Sequence, residues 1–248
     1  MIEAINVSKF FYEKEVLKSI NFVFEKGKTN LIIGQSGSGK TVLMKCLVGL
    51  FQIDKGDVRF DGRSFLEITY DEKKKIRQEI GMLFQGGALF DSMNVEENVI
   101  FPLSMFTELS KEEKLERANF CLKRVNLENV NKLFPSELSG GMKKRVAIAR
   151  AISANPRYLF CDEPNSGLDP STSIVIDNLI SEITQEYQIT TVVNTHDMNS
   201  VIEIGDKIAF IYKGELWWEG DKNSILHTDN KEINDFVYAT ELTRRLKK

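Results

Sequence analysis

The chain has 248 residues, 42% hydrophobic and 28% charged, with 33 basic and 36 acidic side chains giving a formal net charge of −3. These proportions exclude a peptide, a fibre and a disordered chain, and suit one large α/β domain or two small ones. The balanced charge removes any global positive field for holding nucleic acid, so no nucleic-acid partner is expected.

No run approaches the roughly 18 apolar residues of a membrane helix. Met1-Ile2-Glu3-Ala4 lacks a charged-then-apolar signal, so a cytoplasmic chain is expected. Cys46, Cys121 and Cys161 lie far apart in apolar stretches and read as reduced core thiols.

In chain order, strand-like runs occur at Ile2 to Val7 and at Ile20 to Phe24, where Ile20, Phe22 and Phe24 alternate. A third run, Thr29 to Ile33, leads directly into Gly34-Gln35-Ser36-Gly37-Ser38-Gly39-Lys40-Thr41, which fits G-x-x-x-x-G-K-[ST]. Glycines there let backbone N–H groups turn inward as an anion-binding nest, and the following helix start adds a favourable partial charge. Lys40 is positioned to reach β- and γ-phosphates, and the Thr41 hydroxyl to ligate Mg²⁺. Val42 adjoins the loop and, with Leu43, Cys46, Leu47 and Leu50, forms the apolar face of the helix.

A strand ending near Phe84 precedes a stretch, about 87–155, that reads as all-helical. Within it, Ser110 and Glu113 form a capping box leading into Leu115, Ala118, Leu122 and Val125. The next strand, Tyr158 to Cys161, runs into Asp162-Glu163 at the sheet edge where ligands bind in open α/β sheets. Asp162 would hold Mg²⁺ through water, and Glu163 would act as general base on the attacking water. Two adjacent carboxylates beside a phosphate repel one another, so a cation is implied.

Ile176, Leu179, Ile180 and Ile183 mark a further helix, followed by strands Ile189 to Asn194 and Lys207 to Tyr212. The pattern predicts an α/β fold with a parallel sheet covered on both faces. A core of about 1–86 and 156–223 would enclose the helical subdomain 87–155. The segment 224–248, ending in Arg244-Arg245-Leu246-Lys247-Lys248, reads as a solvated, frayed tail, with docking to a partner or membrane surface as the alternative.

Leu138-Ser139-Gly140-Gly141-Met142-Lys143-Lys144-Arg145, before an alanine-rich helix, resembles the LSGGQ signature of ATP-binding cassette (ABC) ATPases. Gln85, Ser166-Gly167-Leu168-Asp169 and His196 follow the family's order, and the resemblance spans Val7 to about Gly220. It implies a RecA-like P-loop core with N-terminal antiparallel strands and an inserted helical subdomain, ATP and Mg²⁺ as cofactors, and a head-to-tail homodimer sandwiching two nucleotides. Ser139, Gly140 and Gly141 would then present donors at a helix N-terminus to the γ-phosphate held by the other copy. Gln85 would contact Mg²⁺ or the lytic water, and His196 would donate to the γ-phosphate. His227 reads as structural.

Phe11 stands where the family carries an aromatic that stacks on adenine, with Phe10 and Tyr12 as neighbouring alternatives. Stacking is worth about 1–3 kcal/mol and reads no hydrogen-bond code, so by itself it does not exclude GTP. Met142 replaces the commonest signature Gln, and Asn165 the usual small or Thr residue.

The segment Gln85 to Val99 resembles the ATPases of Mla and related Mce phospholipid transporters, especially at Ala88-Leu89-Phe90-Asp91-Ser92. That resemblance implies an integral membrane permease met around Gln85 to Asn98, a STAS-domain regulatory subunit and a periplasmic lipid-binding subunit. Leu89 and Phe90 are the apolar side chains expected to fill a groove there. The interval from Thr41 to Leu138 is too short for the coiled coil of DNA-repair ABC ATPases, and one cassette is too few for translation-type proteins. A soluble iron-sulfur-assembly ATPase, or the ATPase of another small-substrate transporter, is the alternative.

Overall fold

The computed structural model describes residues 1–238, and segment 239–248, which includes Arg244 to Lys248, lies outside the described residues. An antiparallel sheet has the order β2-β1-β4-β5, formed by Ile2–Phe11 (β1), Lys14–Phe24 (β2), Lys55–Phe60 (β4) and Arg63–Ser64 (β5). The second sheet has the order β10-β9-β3-β8-β7-β6, comprising Thr29–Ile33 (β3), Ile80–Leu83 (β6), Tyr158–Asp162 (β7), Thr190–Asn194 (β8), Lys207–Tyr212 (β9) and Glu215–Gly220 (β10). Its strands run parallel from β6 to β9, and β10 closes the edge antiparallel.

Side chains of one strand alternate between faces, so the central strands feed two cores. Leu31, Ile33, Leu159, Cys161 and Val193 join one core, which also contains the helices of 95–153. Ile32, Tyr158, Phe160 and Val192 join the other, which contains the antiparallel sheet and Lys40–Leu47 (α1). Helix α1 is thereby held between the two sheets with the phosphate loop at its start.

Strands β1 and β2 are longer than the predicted runs. Register shifts interrupt their pairing, and Asn6 (φ 49°) and Ser19 (φ 50°) stand in the left-handed region. These irregularities break the period-2 pattern. Leu50, expected on the α1 face, is 58% exposed because the helix ends at Leu47 and Gly49 (φ 73°) turns the chain away.

Between β6 and β7 the chain is helical: Val95–Phe106 (α3), Lys111–Arg124 (α4) and Gly140–Ser153 (α5), after Tyr70–Gln78 (α2) earlier in the chain. The predicted capping box is present, with Ser110 Oγ accepting from Glu113 N at 3.2 Å and Glu113 Oε2 from Ser110 N at 2.7 Å. Leu115 is exposed, however, and Cys121 joins Ala118, Leu122 and Val125 on the buried face.

Residues 224–238 differ from the solvated tail expected of them. Ile225, Ile233 and Val237 are buried in the first core, the latter two on Lys231–Val237 (α8). Three apolar residues scattered over thirteen positions give a weak periodic signal, yet each reaches the core. All three cysteines are free and buried, and burial pushes the Cys46 thiol up to about 12 and Cys121 to about 11. No helix among the described residues is long and apolar enough to cross a membrane.

Candidate nucleotide site

The glycines of the phosphate loop are required by its shape. Gly34, Gly37 and Gly39 adopt φ values of 145°, 78° and 110°, which L side chains rarely enter. A Cβ on Gly34 would also lie 2.2 Å from the Ile211 carbonyl oxygen. Gln35, Ser36 and Gly37 face solvent, whereas Ser38 is buried and its Oγ has no partner. Ser38 N donates to Gln35 O at 3.2 Å, and Gly214 N donates to Ser38 O at 3.0 Å, fixing the turn from both sides.

Lys40 folds under this loop, and its Nζ donates to Gln35 O at 3.0 Å. Burial lowers its pKa, against the opposing pull of Glu163 and Asp162. Thr41 is exposed at the helix start, and Val42 is half-buried beside it.

Asp162 and Asn194 are paired at the C-terminal ends of β7 and β8, opposite Thr41. Asn194 Nδ2 donates to Asp162 Oδ1 at 2.6 Å and to Thr41 Oγ1 at 3.2 Å, while Asn194 Oδ1 is buried without a partner. Glu163 has φ 47°, and its N donates to Asn194 O at 2.9 Å. Its Oε1 lies 2.9 Å from His196 Nδ1. Thr41, Asp162, Glu163 and His196 are thus gathered on one sheet edge, where open α/β folds bind ligands. The hydroxyl and carboxylate are hard oxygen donors, a set that fits Mg²⁺ shared with phosphate oxygens.

Gln85 joins this group through Ser166, its Nε2 donating to Ser166 Oγ at 3.4 Å. Two buried cations on α5 hold the chain around it. Lys144 Nζ donates to Gln85 O and, at 3.4 Å, to Glu163 O. Arg150 donates to Ala88 O and Gly87 O, each at 2.7 Å. Burial lowers the pKa of both. Buried Asn98 accepts from Phe90 N at 2.8 Å and donates to Phe90 O at 3.1 Å, shaping the segment beyond.

Leu89 packs against the core, unlike its expected role in a groove, whereas Phe90 is exposed beside Phe101 with ring centroids 4.7 Å apart. Asn194, Lys144 and Arg150 escaped the sequence reading. Their signal was a polar residue closing an otherwise packed strand and two cations on an apolar helix face.

Ser139 caps α5, its Oγ accepting from Met142 N at 3.3 Å. Ser139 and Gly140 are exposed, and a Cβ on Gly141 would meet Thr172 Cγ2 at 2.7 Å. Among the described residues no hydrogen bond joins Ser139, Gly140 or Gly141 to the phosphate loop. Phe11 ends β1 half-exposed, with Phe51 edge-on at 5.5 Å and Lys9 Nζ 5.4 Å from its ring centroid. Phe10 lies under Lys55, and Tyr12 is fully exposed.

Asn165 is buried and donates to Ser200 Oγ at 3.0 Å, and Ser200 donates to Asp177 Oδ2 at 2.8 Å. Asp177 and Ser200 belong to Pro170–Glu186 (α6) and Met198–Ile204 (α7), the helices after Asp169 and His196.

Comparison with known proteins agrees with this geometry. Residues 17–166 match the ABC transporter family. The methionine import ATP-binding protein MetN of Clostridium tetani is 38% identical over 98% of this chain and 76% of its own length. A probable ribonucleotide transport ATP-binding protein, mkl, of Mycobacterium leprae is 33% identical over 95% of this chain and 68% of its own. Among solved structures, the ATP-binding cassette MJ0796, a dimer in a post-hydrolysis state bound to ADP and phosphate, superposes with a TM-score of 0.81. It is 34% identical and covers 90% of this chain and 99% of that one. The cbiO1 protein of Clostridium perfringens gives a TM-score of 0.85 at 27% identity, over 100% and 98%. The chain belongs to the ABC transporter family and is one of its ATP-binding, ATP-hydrolysing subunits, with the RecA-like P-loop fold of that family.

Proposed function

We propose that this ATPase works as a head-to-tail homodimer on the cytoplasmic face of a membrane and drives an integral membrane permease. The observation that carries this is the double grip of Lys144. By holding Gln85 O and Glu163 O together, it fastens the segment leading to exposed Phe90 and Met105 to the backbone of the hydrolytic carboxylate. A change at the nucleotide is thereby passed to a surface a permease can engage.

In this reading Gly34 to Thr41 and Val42 cradle the ATP phosphates, with Lys40 transferring its donation from Gln35 O to the β- and γ-phosphates. Thr41 and, through water, Asp162 would hold Mg²⁺, with Gln85 at the same cation or at the attacking water. Glu163 accepts the proton of that water, and His196 orients the carboxylate and donates to the γ-phosphate. Phe11 stacks on the base. Ser139, Gly140 and Gly141 of a second copy complete the γ-phosphate site, which accounts for a signature exposed in the single chain.

Methionine and ribonucleotide, the cargoes in the relatives' names, are small solutes, and they favour a small-molecule permease for this chain. The phospholipid reading, with its STAS-domain and periplasmic lipid-binding partners, rests on the wording of Ala88 to Ser92. Purifying tagged chain from membranes of cells that naturally carry it, then identifying the permease and its bound ligand, tests both. A permease that moves a small solute with ATP is expected. ATP-dependent phospholipid transfer would shift the assignment to lipid, and an entirely soluble complex without a permease would overturn transport.

A further inference from the structure

We propose that Asn194 is a positioning residue for the nucleotide's divalent cation, joining the two protein ligands Thr41 and Asp162 before the cation arrives. The proposal rests on the reading of those two residues as cation ligands. Asn194 is fully buried at the end of β8. Its Nδ2 donates to Asp162 Oδ1 at 2.6 Å and to Thr41 Oγ1 at 3.2 Å, so one amide spans the phosphate loop's helix and β7. Among the described residues no other side-chain hydrogen bond reaches either oxygen.

The chemistry of an amide suits this place. An apolar residue would leave the two oxygens unbridged, and a carboxylate would repel Asp162 at this range. A cationic side chain would compete with the metal. The amide is neutral and donates, so it orients both oxygens without adding a charge beside them. The orientation follows from the same chemistry, since turning the amide over would set Oδ1 against the Asp162 carboxylate. Asn194 Oδ1 instead stays buried and unpartnered, an imbalance that packing of β8 does not require. Holding the ligands together in advance reduces the ordering needed when the cation binds.

The test measures binding of a fluorescent, non-hydrolysable ATP analogue to the full chain, first in EDTA and then across a Mn²⁺ titration. Asn194→Val should shift the Mn²⁺ midpoint upward by about 10-fold, in line with loss of groups that orient metal ligands. Its affinity in EDTA should stay within about twofold of the unmodified chain, since a residue that orients the metal ligands does not itself touch the nucleotide. Asn194→Asp, equal in shape, should lower the melting temperature without Mn²⁺ and recover it with Mn²⁺. An unchanged midpoint, or parallel losses with and without Mn²⁺, would overturn the proposal. If Asn194→Val does not fold, a melting temperature of Asn194→Asp that ignores Mn²⁺ would overturn it equally. An unmodified chain whose nucleotide binding ignores Mn²⁺ would instead defeat the cation reading itself, and the proposal with it.

Discussion

His196 Nδ1 lies 2.9 Å from Glu163 Oε1, joining the loop after β7 to the loop after β8. The backbone of Glu163 is tied to the same strand end, its N donating to Asn194 O at 2.9 Å. A φ of 47° at a non-glycine residue costs about 1–2 kcal/mol. These contacts hold that conformation, and it places the carboxylate beside the imidazole. Replacing Glu163 by Gln preserves the shape and removes the base. Hydrolysis should fall by about 10²- to 10⁴-fold while nucleotide binding persists. Phosphate release and fluorescent-nucleotide binding check the two halves of that expectation, and near-normal turnover would remove Glu163 from its role.

Lys40 sits under the loop with Gln35 O as its acceptor, so its ammonium is buried and already aimed. Lys40→Ala removes a charge-assisted contact worth about 1.5–3 kcal/mol, a loss of about 10- to 100-fold in ATP affinity. Binding, rather than turnover, should carry the defect. Equal ATP affinity in the two proteins would count against the phosphate site.

The phosphate loop and the Asp162-Glu163 pair were legible because local chemistry dictates them: glycines where φ is positive, acids where an apolar strand meets the edge. The strand alternation of Ile20, Phe22 and Phe24 was legible for the same reason. Asn194, Lys144 and Arg150 were not, because their meaning lies in backbone carbonyls and side chains brought from distant elements. The docking of Ile225, Ile233 and Val237 likewise depends on a core assembled by other strands. Leu115 shows the converse, an apolar residue in helical register that faces solvent because no element covers it.

Asp177 supplies a test in pH. Burial raises its carboxyl to about 6, with Asp197 and Glu203 adding to the effect and Ser200 and Asn165 opposing it. Since the folded state holds the proton more tightly than the unfolded chain, whose carboxyl has the ordinary value of 3.8, the ionised form destabilises the fold. The cost is absent below about pH 4, grows through the interval, and is complete above about pH 6, where it is on the order of 3 kcal/mol. Asp177→Asn keeps an acceptor for Ser200 and cannot ionise. The two proteins should melt together near pH 4, with the variant about 5–10 °C higher at neutral pH. A difference in melting temperature that does not change with pH would show that Asp177 is not ionising in the fold.

A last expectation follows from the separation of the signature from the phosphate loop within one chain. Ser139→Asp is a suitable lesion because Asp caps a helix as well as Ser does, yet sets a carboxylate where a phosphate would bind. Lys40→Ala damages the other half of the site. Each variant alone should form dimers with two defective sites. In a mixed dimer arranged head to tail, both lesions fall in one site, and the other combines an intact phosphate loop with an intact signature. Coexpressing the two variants with different tags and isolating the mixed dimer should therefore restore ATP hydrolysis above either parent. If closure of the two sites is coupled, the rescued rate will fall short of half of the unmodified rate. If each chain instead completed its own site, every site in the mixed dimer would carry a lesion, and hydrolysis would stay at the level of the parents.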